Sequence, residues 1–156
     1  MGVKVSFKGP WARFLAFPRK LANELPKIGE KAVNREAERV AEALKQAVSS
    51  GQAGGPGLTP GVIARKGHGI KLVDSHALAG SFSVDPVSVG SPGFVGIKEG
   101  VGHPTGISMV ALMTIQEFGN STIPPRPVVG PTLNKAIPKM STSVIKLWNK
   151  AARNIW

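Results

Sequence analysis

Apolar residues recur every three or four positions from Lys27 to Ser50: Ile28, Ala32, Val33, Ala37, Val40, Ala41, Leu44, Ala47 and Val48. That spacing draws one apolar stripe along a helix. Arg35, Glu36, Glu38, Arg39, Glu42 and Lys45 fill the other side. Glu36 with Arg39, and Glu42 with Lys45, stand at the i,i+3 spacing that lets opposite charges meet. Gly51 is a natural stop.

Before this helix, Val3 to Phe7 alternates in strand fashion and Gly9-Pro10 ends it. Trp11 to Phe17 reads as a short helix or docking arm, and Pro18 and Pro26 bracket a brief helical turn. Residues 1–26 therefore read as an N-terminal arm. The stretch from 49 to 71 is rich in glycine and reads as a flexible loop. Inside it Thr59 and Pro60 are placed as N-cap and first residue of a short helix ending near Arg65-Lys66-Gly67. A second short helix is expected from Ser75 to Ala79, capped by Asp74 or Ser75.

The period then drops to two. Phe82 and Val84, Val87 and Val89, and Phe94, Val95 and Ile97 lie between Gly/Pro/Ser turns, which predicts an antiparallel meander. Met109 to Phe118 reads as an apolar helix stopped by Gly119-Asn120. Ile123 to Val129 must be extended, because three prolines fix their own φ and restrict their neighbours. From about 130 to 156 a basic helix carries Leu133, Ile137, Met140, Val144, Leu147 or Trp148, and Ala151 as its apolar stripe, with Pro138 as a kink or a break. The expected fold is α+β: a long N-terminal amphipathic helix and a C-terminal helix packed on a small antiparallel sheet, in one domain.

Composition sharpens this reading. The 156 residues are enough for a single modest core. There is no cysteine, which removes disulfides, thiolate metal sites and cysteine nucleophiles. No apolar run is long enough to span a bilayer. Twenty Lys and Arg against nine Asp and Glu leave a net charge of +11, which asks for a polyanionic neighbour. After Glu117 six basic residues follow and no acid. Lys135, Lys139, Lys146, Lys150 and Arg153 on the last helix are candidate polyanion contacts, the plain alternative being a solvated helix face. Trp11 and Trp156 stand near the termini, where burial against a neighbour is the expected fate, whereas Trp148 is placed in the core.

No catalytic constellation is visible. His68, His76 and His103 lie in turn-like contexts without the convergent ligands a metal needs. Asp74, Asp85, Glu99 and Glu117 are scattered, and there is no P-loop. The expectation is a protein without catalytic activity, metal or cofactor.

Three blocks carry a family resemblance. The first is Leu58-Thr59-Pro60 through Arg65-Lys66-Gly67, followed by Leu72 to Phe82. The second is Ala111 to Gly119, ending Glu117-Phe118-Gly119. The third is Ile123-Pro124-Pro125-Arg126-Pro127, leading into an amphipathic helix. In order and spacing they resemble the tail-completion or neck proteins of tailed phages, the lambda minor tail protein Z-like and Mu-type virion morphogenesis-like group. Ser75-His76, Gln116 and Val128 stand where that family has Thr-Gly, His and Phe.

The resemblance implies a structural virion protein, present in host cytoplasm before assembly. It implies a homo-oligomeric ring, of the hexamer class, at the head-proximal end of the tail that enables head–tail joining. The implied partners are the tail tube or terminator protein and the head connector proteins, with DNA passing in the channel and no membrane. Arg126, held stiffly between Pro125 and Pro127, is then a donor fork for a carboxylate, with Glu117 as the candidate mate and a plain solvent-exposed charge as the alternative. Arg65, Lys66 and Lys71 are candidate loop contacts. The competing reading is a small basic nucleic-acid-binding protein.

Overall fold

The computed structural model describes residues 10–72, 77–88, 90–103 and 106–155. The expected strand at Val3–Phe7, the Asp74/Ser75 cap, His76 and Trp156 lie outside these. Seven elements follow in order: α1 (Pro10–Ser49), α2 (Pro60–Lys66), α3 (Ala77–Gly80), β1 (Phe82–Asp85), β2 (Phe94–Ile97), α4 (Met109–Phe118) and α5 (Val129–Ile155). The fold is α+β, with two long helices and a two-stranded antiparallel sheet.

α1 is a single helix of 40 residues that runs through Pro18 and Pro26, where a separate arm and a brief turn were expected. Each proline leaves the carbonyl four residues back without an amide. Both rings are solvent-exposed, so the loss falls on a wet face of the helix and not in packed core. Pro138 is likewise exposed and α5 continues through it.

The core gathers at the C-terminal half of α1. Val40, Leu44, Ala47 and Val48 meet Leu78 and Ala79 of α3, Phe82 of β1, Met109 and Met113 of α4, and Val128 just before α5. In the hairpin, Phe82 pairs with Ile97 and Val84 with Val95. Alternation thus turns Phe82, Val95 and Ile97 to the core and leaves Phe94 outside. Val89 of the expected middle strand lies outside the described residues, and among those described Val87 joins no third strand. Ser88 and Ser91 form only an isolated bridge, because the segment between Pro86 and Gly90 is too short to build a ladder. Asn34 of α1 fastens this tip with both ends of its amide. It donates to the Val87 carbonyl at 3.0 Å and accepts from the Val87 amide at 2.6 Å.

α5 runs back along α1 in the opposite direction. Ala47 lies near Thr132 at one end, both lining a shared cleft. Further along, Gly29 faces Trp148, whose Nε1 is 3.5 Å from where a Cβ on that glycine would sit. Glu36, expected on the polar side, is 4% exposed, because it sits at the seam with α5. Arg39 covers it, with one nitrogen 2.9 and 3.0 Å from its two carboxylate oxygens. Glu42 and Lys45 form no such pair among the described residues. Their spacing permitted contact, but exposed chains gain little from holding it. Among the described residues no helix is long and apolar enough to cross a membrane.

Truncating Leu44, nearly sealed in the core, to alanine is expected to cost about 2–5 kcal/mol in urea unfolding. Ile145→Ala, on the exposed side of α5, should stay within about 0.5 kcal/mol of wild type. Equal losses would place the core elsewhere.

Candidate functional site

Three sequence-distant pieces converge where α5 begins. α4 has a local cap, with the Ser108 hydroxyl accepting from the Ala111 amide, and a local stop at Gly119. α5 has no acidic residue in its own first turn. Its missing N-terminal anion comes from Glu117, at the far end of α4. One carboxylate oxygen accepts from the amides of Val128 (2.7 Å) and Val129 (2.9 Å), and the other from Gly130 (2.8 Å). The next residue, Pro131, has no amide to satisfy, and Thr132 already donates to the Val128 carbonyl. Every otherwise orphaned amide at this helix start is therefore answered. The negative charge also sits at the positive end of the helix dipole.

The backbone between them is fixed by close approach. The Arg126 amide donates to the Gln116 carbonyl at 2.6 Å. Gly119 has φ +76°, and a Cβ there would lie 2.9 Å from both the Ile123 carbonyl oxygen and Pro125. The glycine-rich loop closes against the other side of the same segment. The Gly54 amide donates to the Pro127 carbonyl at 2.9 Å, and a Cβ on Gly55 would lie 2.1 Å from the Pro125 carbonyl oxygen. Lys71 folds its ammonium back onto the carbonyls of Ala53, Gly54 and Gly55. That contact is internal, unlike the outward loop contact expected of Lys71.

The expected Glu117–Arg126 clamp is not formed. The Glu117 oxygens are occupied by three backbone amides. The Arg126 Nε is buried without a hydrogen-bond partner, as is the Gln116 Oε1. Opposite charge suggested the pairing, but a helix start offers a carboxylate several preset donors at once, and these win over a single flexible guanidinium. Pro125 is exposed and Pro127 half-buried, with Val128 fully enclosed behind them. Arg65 and Lys66 lie in the last turn of α2, a helix with no buried residue. Thr59 occupies the N-cap position but its side chain makes no capping bond. Trp11 is in the first turn of α1, with its side chain, like Trp156, outside the described residues.

α5 carries the remaining candidates on two distinct flanks. Lys135, Lys139, Lys146, Lys150 and Arg153 are all exposed, and their intervals of 4, 7, 4 and 3 keep them in one stripe. Ile137 and Trp148 were expected on the core stripe, and Ile145 was in no expected group. Ile137, Ile145 and Trp148 lie on the opposite flank at 53%, 59% and 44% exposure. Phe118, next to the capping Glu117, is 77% exposed. His68 accepts from the Ile70 amide through Nδ1. Among the described residues no three His, Asp or Glu side chains converge as a metal site would require.

Comparison with protein-family models, with curated proteins and with solved structures finds no match to this chain.

Glu117→Ala is expected to lower unfolding stability by about 2 kcal/mol, since it strips the start of α5 of its acceptor. Arg126→Met should be neutral or slightly stabilising, because it removes a buried donor that has no partner. Comparable losses for the two substitutions would indicate an ion pair after all.

Proposed function

We propose that this chain is a structural subunit of a tailed-phage neck or tail. It acts by shape in a ring of copies of the hexamer class at the head-proximal end of the tail, makes that end competent to join the head, and catalyses no reaction. The observation that carries this reading is the apolar surface a single copy leaves in water. Phe118 stands out beside the junction, and Ile137, Ile145 and Trp148 line one flank of α5. Monomeric proteins rarely leave large apolar side chains grouped in this way unless another chain covers them.

The motif resemblance supports the same reading in physical terms. Its second and third blocks, Glu117-Phe118-Gly119 and Ile123 to Pro127, are the two halves of one junction. Glu117 caps the following helix, Gly119 permits the reversal, and the prolines stiffen the approach. Such a junction holds Phe118 and α5 rigidly with respect to each other, as a subunit with heterologous contacts on two sides requires.

Purified virions should contain the chain, located at the head–tail junction by immunogold labelling. Particles assembled without it should accumulate as separate heads and tails. Supplying Phe118→Ser in its place should leave joining impaired while the purified variant keeps its fold. Joined particles in the absence of the chain would overturn the proposal.

A further inference from the structure

The cationic flank of the α1–α5 pair is left over once the junction and the apolar flank have been assigned. One end of it is a cleft of about 320 Å³, whose lining includes Glu36 and Arg39 of α1 and Thr132, Lys135 and Lys139 of α5. Lys146, Lys150 and Arg153 extend the same stripe along α5, over roughly 27 Å at 1.5 Å per residue. Arg35 lies one turn before Arg39 and adds a charge from the facing helix. None of Arg35, Lys135, Lys139, Lys146, Lys150 and Arg153 is held in an ion pair among the described residues. The acid in the cleft, Glu36, is already buried under Arg39, and α5 has no acid at all.

We infer that this flank binds the phosphate backbone of a nucleic-acid duplex without regard to sequence. Three features select that partner. First, the exposed large apolar residues of α5 among the described ones, Ile137, Ile145 and Trp148, lie off this stripe, so this face offers a protein partner charge but no anchor. Protein interfaces depend on buried aromatic or aliphatic anchors. Second, the stripe contains no aromatic residue, and single-stranded nucleic acid is held largely by bases stacking on aromatics. Third, the stripe is mostly lysine, a mobile point charge that suits phosphates at many positions better than one fixed bidentate mate. The inference stands on charge geometry and holds whether or not the chain belongs to a virion.

The test is fluorescence anisotropy of the full chain with a labelled random-sequence DNA duplex over a range of salt concentrations. Wild type should bind at low salt, with log affinity falling linearly against log salt. The triple variant Lys139→Gln, Lys146→Gln, Lys150→Gln should weaken binding by about 100-fold and reduce the slope by roughly 0.9 per lysine removed. The control triple Lys20→Gln, Lys27→Gln, Lys45→Gln has the same net charge but is altered on the side of α1 turned away from α5, and it should bind within a few-fold of wild type. Arginine at positions 139, 146 and 150 should retain binding, which separates charge from any loss of fold. The inference is overturned by absence of duplex binding at low salt or by equal loss in the control triple. It is also overturned if the single strand binds as tightly as the duplex, or if polyglutamate is bound while DNA is not.

Discussion

One carboxylate sets the geometry of this protein. Glu117 lies in the last turn of α4, yet its side chain completes the start of α5, so the two helices share a terminus through space. The segment between them is short and rich in proline. With its end anchored on three amides it has little freedom left, and the glycines at 54, 55 and 119 let other backbone approach it closely. Val128 is thereby driven into the core with no exposure at all. The direction in which α5 leaves the core, and so its lie along α1, follows from that anchoring.

A helix placed in this way has three jobs around its circumference. The stripe through Leu133, Ala136 and Met140 packs towards the core and α1. One flank is cationic and the other apolar. Keeping the two kinds of exposed surface apart on one rigid rod lets each meet a different neighbour without compromise. An apolar contact loses strength when charges must be desolvated with it, and a phosphate contact gains nothing from buried aliphatic area.

Much of the local architecture was legible in the sequence because its causes are local. α4 runs from Met109 to Phe118 and stops at Gly119 as expected, Pro60 starts α2, and two of the three strands expected between Phe82 and Ile97 form. What could not be read depends on distant partners. Pro18 and Pro26 look like breaks, yet they are tolerated where their faces are solvated. Ile137 and Trp148 satisfy the apolar spacing of α5, but the α1 surface is too narrow to cover so broad a stripe. Asn34 shows no pattern that points to a hairpin tip more than fifty residues away. Glu117 and Arg126 attract notice as opposite charges near a rigid segment, whereas the amides that claim the carboxylate are invisible in a list of side chains.

The account rests on the Glu117 carboxylate holding the first amides of α5, and amide hydrogen exchange reads that contact residue by residue. Val128, Val129 and Gly130 should exchange slowly in the wild-type chain and become fast in Glu117→Gln, while amides in the middle of α1 keep their protection. Fast exchange at those three positions in the wild type, or unchanged protection in the variant, would contradict it.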